Sequence, residues 1–268
     1  MLQFQTSDQY KTRLAKQFSR AAIHYDSLAA VQGEIAKDAI ALLPSQCHIL
    51  LDLGCGTGRI TQNLSAQSNH VIAVDLALGM LNHASSSIDD KTISWIRGDA
   101  EHLAISENTV DTVFSSMVLQ WCASPHQVMY EINRVLKEHG QAVLAIMVDG
   151  SFSELKQVWA QLDAGRHVNQ FYRSELWQQA AQDNGLRVEL STQCYQTWHP
   201  NLRTLLASIK GIGANVLINN DADNVQTANT AFNRSTLTKL ETLYLEQSDE
   251  LQQLPLSYQI AFLHCIKS

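Results

Sequence analysis

The sequence lacks any hydrophobic run long enough to cross a lipid bilayer. Across its 268 residues, no stretch approaches the roughly 18 consecutive apolar residues that a membrane-spanning helix needs. The first residues, MLQFQTSDQYKTRLAKQ, also lack the apolar core of a secretory signal. These absences predict a cytoplasmic protein that has no membrane partner.

Paired cysteines and an excess of basic residues are missing as well. The five cysteines are odd in number, far apart and never spaced as C-x-x-C, so neither a disulfide framework nor a zinc site is indicated, and we expect no metal. The 19 Lys and Arg against 26 Asp and Glu give a net charge of -7. This balance disfavours a general nucleic-acid-binding protein, because such proteins neutralise phosphates with a basic surface.

What the sequence does contain is enough apolar material for a substantial core, with 45% hydrophobic and 17% charged residues. Apolar residues recur at helical spacing from 11 to 43, which predicts an N-terminal helical segment over residues 1–47. Over 48–198, short β-rich runs alternate with helical stretches, which predicts an α/β core with a mostly parallel sheet covered on both faces. We expect an inserted lid over 199–250 and a last core strand over 251–268.

The most informative motif is ILLDLGCGTGRI, residues 49–60, in which an apolar strand runs into three glycines at alternate positions. Gly54, Gly56 and Gly58 permit positive φ and allow a ligand to lie against bare backbone. An ordinary strand-to-helix turn is the alternative, although such turns seldom use three glycines at this spacing. Asp52, just before the turn, is placed either to accept a hydrogen bond from a ligand cation or to brace the loop.

The spacing of these glycines favours a ligand without phosphates. Dinucleotide-binding enzymes use G-x-G-x-x-G to hold a pyrophosphate at a helix N-terminus, whereas this sequence has G-x-G-x-G. Asp75, at the end of the second predicted strand, can accept both ribose hydroxyls, and Asp99, at the end of the third, can accept an adenine amino group. Taken separately, Asp75 fits NAD equally well, and Asp99 fits a helix N-cap or a turn.

As an ordered set, these residues resemble the class I S-adenosylmethionine-dependent methyltransferases over residues 48–147. The resemblance implies a Rossmann-like fold with a seven-stranded, mostly parallel sheet, and S-adenosylmethionine as the cofactor. The cofactor-binding residues that it implies are Gln32, Asp52, Gly54, Gly56, Gly58, Asp75, Leu76, Met80, Asp99, Ala100 and Met117.

More of the chain resembles one branch of that superfamily, the malonyl-acyl-carrier-protein O-methyltransferases of biotin synthesis. The matching segments are FSRAAIHYDSLAAVQ at 18–32, VLQWC at 118–122, EINRVLKEHG at 131–140, HVNQF at 167–171 and SIKGIGAN at 208–215. The last segment is the most specific for this branch, and 216–255 shows little similarity. The resemblance implies methyl transfer to the free carboxylate of malonyl-acyl carrier protein, which gives the methyl ester that primes pimeloyl synthesis.

Such a reaction needs no general base, because a carboxylate with a pKa near 4 is already ionised at neutral pH. We expect Tyr25 and Gln120 to act beside the reacting groups, although a core tyrosine is an equal alternative for Tyr25. For the substrate carboxylate we expect Arg173, Arg203 or Lys210, because Arg can fix a carboxylate through two parallel hydrogen bonds. Each of the three is otherwise a solvated surface charge.

An acidic carrier protein would dock on a basic face. Lys11, Arg13, Lys16 and Arg20 fall within ten residues that contain no acid, and on a helix Arg13, Lys16 and Arg20 share one side. We expect these three residues to form the carrier-docking face. A solvated helix face without a partner is the alternative.

Three other functions are open at this point. The first is a methyltransferase that acts on another small carboxylic acid or on a quinone precursor, since trans-aconitate methyltransferases share much of this core. The second is a non-catalytic protein that binds S-adenosylmethionine as a sensor or regulatory subunit. The third, a NAD-dependent oxidoreductase, is disfavoured by the glycine spacing and by the absence of a Tyr-x-x-x-Lys pair after the fourth predicted strand.

Overall fold

The computed structural model describes residues 2–162, 167–211 and 234–268. These contain one seven-stranded sheet in the order β3-β2-β1-β4-β5-β7-β6. The strands are β1 (Cys47–Leu53), β2 (Ser68–Asp75), β3 (Ile93–Arg97), β4 (Val110–Ser116), β5 (Leu136–Met147), β6 (Leu186–His199) and β7 (Leu254–Lys267). The first five strands pair in parallel, and β7 lies antiparallel between β5 and β6.

Helices precede the sheet and connect its strands. They are α1 (Leu2–Leu28), α2 (Ala30–Ile40), α3 (Arg59–Ser65), α4 (Leu78–Ser87), α5 (Pro125–Val135), α6 (Ser153–Ala160), α7 (Ser174–Asp183), α8 (Leu202–Gly211) and α9 (Arg234–Leu245). A short 3₁₀ helix spans Leu119–Trp121. Within the described ranges, no helix has the length and apolar character that crossing a membrane requires.

The sheet has two hydrophobic faces because its central strands are apolar at nearly every position. Leu50 and Val143 belong to the core on one face, whereas their neighbours Leu51 and Leu144 belong to the core on the other. Successive side chains of a strand point to opposite faces, so a continuous apolar run buries both. The predicted Rossmann-like class I methyltransferase fold, with its mostly parallel seven-stranded sheet, is confirmed by this topology.

The strand order reverses between β1 and β4, which places the main crevice of the fold at the carboxyl end of β1. Chain connections leave β1 toward β2 on one side, and β4 lies on the other. Open α/β sheets bind their ligands at such a switch point, outside the carboxyl ends of the strands. The N-terminal helix α1 crosses this region and packs against α4, where the Gly79 amide donates to Ser19 Oγ at 3.1 Å.

The predicted domain boundaries can be set beside these elements. The predicted core starts one residue after Cys47, where β1 begins, and β6 ends at His199, where the predicted lid starts. Of that lid, the structure describes α8 and α9, while residues 212–233 lie outside the described residues. The division into four segments stays a prediction.

Candidate functional site

A cavity lies at the carboxyl ends of β1, β2 and β4, at the switch point of the sheet, and α1 and α2 supply its opposite wall. The residues that line it come from seven segments: α1 (Lys11, Leu14, Ala15, Phe18, Tyr25, Asp26), α2 (Gln32, Ala36), the β1 end and glycine loop (Asp52 to Thr57, then Arg59 and Ile60), the β2 end (Val74 to Ala77), α4 (Met80), the loop after β3 (Gly98, Asp99, Ala100) and the end of β4 with the 3₁₀ segment (Phe114, Ser116, Met117, Val118, Trp121, Cys122).

The glycine loop has the backbone conformation that its sequence predicts, but its three glycines differ in role. Gly54 has φ +84°, and a Cβ there would lie 2.2 Å from a methyl carbon of Val118, so a side chain would not fit. Gly56 lines the cavity, and a Cβ there would meet nothing within 4 Å. Gly58 does not line the cavity; it is the residue before the first turn of α3. Gly58 lies in the turn before α3, and its contact with the cofactor stays a prediction.

Asp52 lies at the bottom of the cavity and is 3% exposed. Thr61 of α3 donates a hydrogen bond to its Oδ2 at 2.6 Å, so Asp52 does brace the loop, which was one of its two expected roles. Burial raises the pKa of the Asp52 carboxyl to about 7. A buried carboxylate that is so costly to ionise is suited to receive a ligand cation, which would offset that cost.

Asp75 holds the glycine loop against the end of β2. Its Oδ2 accepts from the Gly56 amide at 2.9 Å, and its Oδ1 accepts from the Ala77 amide at 2.7 Å. Burial raises the pKa of Asp75, and these backbone hydrogen bonds partly counteract that rise. An ionised carboxylate has about four acceptor positions, so two remain for further donors such as ribose hydroxyls. Leu76 and Met80, also predicted, line the same part of the cavity.

Asp99 is paired with Lys11, a cation for which the sequence predicted no role in the cavity. Lys11 Nζ donates to Asp99 Oδ2 at 2.7 Å and also pairs with Glu101. Its side chain is 16% exposed and lines the cavity, so it does not belong to a surface patch. Burial lowers the pKa of Lys11, but the hydrogen bonds and charges of Asp99 and Glu101 outweigh burial, and the pKa is raised.

The ion pairs of Lys11 continue into a network that fixes two loops. Asp99 Oδ1 accepts from the Glu101 amide at 3.0 Å, and Glu101 Oε1 accepts from the Ser124 amide at 2.7 Å. Ser124 in turn caps α5, since its Oγ accepts from the Gln127 amide at 3.1 Å. Helix α1 is thereby tied to the loop after β3 and to the start of α5.

Three more predicted cofactor residues line the cavity, whereas Gln120, which was predicted to act beside the reacting groups, does not. Gln32, Ala100 and Met117 line the cavity. Gln120 is buried but does not line it; its Nε2 donates to the Met117 carbonyl at 2.7 Å. Met117 has φ +59°, an uncommon conformation for a residue with a side chain. Gln120 therefore supports this turn, and its role beside the reacting groups stays a prediction.

Two buried polar atoms of this site have no hydrogen-bond partner among the described residues. They are Gln32 Oε1 and Ser116 Oγ, and both residues line the cavity. Buried polar groups are normally hydrogen-bonded, so an unpaired pair of acceptors at a cavity calls for a ligand donor. Ser116 was missed by the sequence analysis, because a serine at the end of an apolar strand carries no signal of its own.

Tyr25 lies in the cavity wall with an aromatic row behind it. Burial raises the pKa of Tyr25 to about 12, and the charges of Asp75 and Asp26 add to this rise, so the hydroxyl stays protonated at neutral pH and can donate. The ring of Phe18 is 6.5 Å from that of Tyr25 and 6.1 Å from that of Trp121, which in turn lies 6.0 Å from Phe171. These rings give the cavity an apolar wall.

The three cations expected to bind the substrate carboxylate are not brought to this cavity. Arg173 precedes α7, Arg203 and Lys210 lie on α8, and all three are exposed and absent from the lining. Within the part of the chain that the structure describes, the cations that do line the cavity are Lys11 and Arg59. Neither was predicted for this role.

The predicted docking residues Arg13, Lys16 and Arg20 are all exposed on α1. They lie on the helix side opposite the residues that line the cavity, and Ile23, on the same side, is 77% exposed. A docking face has to be exposed to solvent, and these three residues are exposed. Their exposure does not show which partner binds there.

The donor set of the cavity fits S-adenosylmethionine. Four aspartates, Asp26, Asp52, Asp75 and Asp99, line it against the two cations, so the lining carries more negative than positive charge. A ligand with a sulfonium, an ammonium and one carboxylate has the complementary net charge of one positive unit. The unpaired Gln32 Oε1 would accept from the ammonium. Among residues 2–162, 167–211 and 234–268, no group of His, Cys, Asp and Glu is arranged to hold a metal ion.

Comparison with known proteins gives the family. Residues 51–144 match a model described as a methyltransferase domain. The chain is 36% identical to the malonyl-[acyl-carrier protein] O-methyltransferase of Yersinia pestis, over 94% of this chain and 90% of the relative. It is 35% identical to the protein of that name in Marinomonas sp., over 95% and 93%. It is also 36% identical to the biotin biosynthesis bifunctional protein BioHC of Cellvibrio japonicus, of which it spans about half the length, 49%.

Solved structures support the fold at low sequence identity. The YcgJ protein of Bacillus subtilis superposes with a TM-score of 0.60 at 18% identity, covering 88% of this chain and 97% of the other. A SAM-dependent methyltransferase of Thermotoga maritima superposes with a TM-score of 0.55 at 15% identity, covering 95% and 100%. The near-complete alignment with the Yersinia and Marinomonas proteins goes beyond the fold: this chain belongs to the malonyl-[acyl-carrier protein] O-methyltransferase family.

Proposed function

We propose that the protein transfers a methyl group from S-adenosylmethionine to the free carboxylate of malonyl-acyl carrier protein, in the cytoplasm and for biotin synthesis. The observation that carries this proposal is the alignment of 94% of the chain, at 36% identity, with a relative named for that reaction. The cavity at the switch point supports it, because its donors and acceptors fit the cofactor.

Different residues of the cavity bind different parts of the cofactor. When bound, S-adenosylmethionine supplies an electrophilic methyl group on a positively charged sulfur. Asp75 accepts from the ribose hydroxyls, and Asp99, held in place by Lys11, accepts from the adenine amino group. Asp52 and Gln32 accept from the ammonium. Each such hydrogen bond to a charged group contributes roughly 1.5 to 3 kcal/mol.

At the substrate side, the protein positions a nucleophile that is already ionised. The malonyl carboxylate needs no base, so no residue has to remove a proton from it. Tyr25 keeps its proton and donates a hydrogen bond that orients the carboxylate. Phe18 and Trp121 exclude water from the reacting groups. Holding the two reactants in line accounts for roughly 7 to 11 kcal/mol of the lowered barrier.

The carrier protein docks on the outer side of α1. Arg13, Lys16 and Arg20 are exposed there and meet its acidic surface, while the inner side of the same helix lines the cavity. Charge complementarity of this kind mainly raises the rate of association and falls with ionic strength.

The test is methyl transfer from radiolabelled S-adenosylmethionine to malonyl-acyl carrier protein, with acetyl-acyl carrier protein as the matched control. We expect label in the malonyl thioester alone, because the acetyl group has no free carboxylate. Label in both would place the methyl group elsewhere than on the malonyl carboxylate. Label in neither, with the cofactor still bound, would refute the substrate and direct the search to other small acids.

A further inference from the structure

The cavity must bind a carboxylate as well as a cation, and this requirement rests on the proposed function. The amino-acid end of S-adenosylmethionine carries both an ammonium and a carboxylate on one carbon atom, and the malonyl group brings a second carboxylate. The lining holds four aspartates, which repel a carboxylate. A cation with free hydrogen-bonding capacity is needed on the wall.

Lys11 does not meet that need. Its ammonium group pairs with Asp99 and Glu101 at once, and both partners are largely shielded from water, with exposures of 24% and 4%. Two carboxylates already surround this single positive charge. A third carboxylate at the same place would be repelled.

Arg59 is the other cation in the lining, and its guanidinium is loosely held. Nη2 donates to the Ala29 carbonyl at 3.3 Å, a long hydrogen bond, and Nε lies 3.9 Å from Asp26 Oδ1. That same Asp26 oxygen accepts from Thr57 Oγ1 at 2.8 Å. A guanidinium has five N–H donors, so most of those of Arg59 remain available.

The surroundings of Arg59 place it beside the expected ammonium acceptors. A Cβ at Gly33 would lie 3.1 Å from Arg59 Nη2, so the absence of a side chain there gives the guanidinium its room. The next residue toward the N-terminus is Gln32, whose buried Oε1 has no partner among the described residues. An acceptor for the ammonium and a donor for the carboxylate therefore lie on adjoining parts of one wall.

We propose that Arg59 is the residue that binds a carboxylate in this cavity, and that this carboxylate is the α-carboxylate of S-adenosylmethionine. A guanidinium can hold a carboxylate through two parallel hydrogen bonds. Arg59 then fixes the amino-acid end of the cofactor, while Asp75 and Asp99 fix the nucleoside end. The malonyl carboxylate has the same chemistry and is the second possible source, which the experiment separates from the first.

The experiment measures binding to Arg59→Gln by calorimetry with two ligands. S-adenosylhomocysteine carries the amino-acid group, whereas 5′-methylthioadenosine keeps the adenine, ribose and thioether and lacks that group. We expect Kd for S-adenosylhomocysteine to rise about tenfold to hundredfold and Kd for 5′-methylthioadenosine to stay unchanged. Arg187→Gln, a change of the same kind at an exposed arginine on β6 outside the lining, should change neither.

The other outcomes are equally decisive. Unchanged binding of S-adenosylhomocysteine with a raised KM for malonyl-acyl carrier protein would assign the carboxylate to the substrate. No change in either quantity would overturn the proposal. If Arg59→Gln loses 5′-methylthioadenosine as well, Arg59→Lys decides: recovery of 5′-methylthioadenosine, with S-adenosylhomocysteine either recovered or still weakened, supports a carboxylate contact, because Lys keeps the charge but not the two parallel hydrogen bonds. Failure to recover either ligand refutes the proposal. Failure of the unaltered protein to bind S-adenosylhomocysteine would instead refute the proposed function.

Discussion

Asp52→Asn should make the cofactor-free protein more stable at neutral and alkaline pH. Burial raises the pKa of Asp52 from the usual 3.8 to about 7, so the folded protein retains a proton that the unfolded chain has lost. Stability is then lost as pH rises from about 4 through 7. The difference of about 3 pKa units corresponds to about 4 kcal/mol above pH 7, at about 1.36 kcal/mol for each unit. Asn is nearly isosteric, cannot ionise and still accepts from Thr61.

The same substitution should weaken cofactor binding. In the unaltered protein, the ligand ammonium favours ionised Asp52, so affinity for S-adenosylhomocysteine should rise between pH 6 and pH 8 as the carboxyl loses its proton. In Asp52→Asn, that part of the pH dependence should vanish. At pH 8 we expect Kd to rise about tenfold to hundredfold, the value of a hydrogen bond to a charged group. If Asp52→Asn stabilises the cofactor-free protein and also weakens cofactor binding, the buried charge of Asp52 lowers stability and serves to bind the ligand.

Urea denaturation at pH 5, 6, 7 and 8 without cofactor measures the first effect, and calorimetry with S-adenosylhomocysteine at pH 6 and pH 8 measures the second. Asp183→Asn, at an exposed aspartate at the end of α7, is the matched control and should follow the unaltered protein in both. Stability curves for Asp52→Asn that run parallel to those of the unaltered protein would refute the reasoning. So would an unchanged affinity at pH 8.

Three further substitutions test other parts of the site. Lys11→Met should raise Kd for S-adenosylhomocysteine severalfold and speed its dissociation, because Asp99 loses the partner that orients it. The control Lys16→Met, on the exposed side of the same helix, should leave Kd and the dissociation rate unchanged. Equal effects of Lys11→Met and Lys16→Met would contradict a role of Lys11 inside the cavity. Reversing the charges of Lys16 and Arg20 should raise KM for malonyl-acyl carrier protein about tenfold at low salt and by less at high salt. If the rise in KM did not depend on salt, the result would argue against docking of the carrier protein on this side of α1. Tyr25→Phe should lower kcat by roughly ten- to hundredfold at unchanged Kd for S-adenosylhomocysteine, whereas loss of cofactor binding would show that the hydroxyl serves the cofactor instead.

The fold, and the presence of ten of the eleven predicted cofactor residues in the cavity lining, were predictable because their signals are local or follow from strand topology. The glycine loop needs three residues at fixed spacing, and its positive φ values are visible in the sequence as glycines. Asp52, Asp75 and Asp99 come together because they lie at or near the ends of neighbouring parallel strands or in the loops that follow them. Such ends always meet at the same edge of a sheet.

The side chains that the structure places outside the cavity lining, or that were not predicted to lie in it, depend on directions that the sequence does not state. Gln120 and Trp121 are adjacent in a 3₁₀ turn, yet Trp121 lines the cavity and Gln120 bonds the backbone beneath it. Arg59 follows the glycines directly, but its contacts are with Asp26 of α1 and with Ala29, the residue before α2, about thirty positions away in the chain. Arg203 was chosen as a cation of the inserted region and Lys210 also by its place in a family segment, and neither reason carries information about the side of α8 on which they lie.

For Lys11, in contrast, the sequence does contain a signal for its position inside the protein. It precedes Leu14 by three residues and Phe18 by seven, so helical periodicity puts it on the apolar side of α1, away from Arg13, Lys16 and Arg20. A lysine on the buried side of a helix has to find an anionic partner inside the protein, and the paired carboxylates of Asp99 and Glu101 are that partner. The four cations of one short segment thus lie in two different environments, Lys11 in the cavity wall and the other three in solvent. Since the same helix presents Lys11 to the cavity and the other three cations to solvent, a carrier protein docked on the outer side would contact the helix that pairs with Asp99.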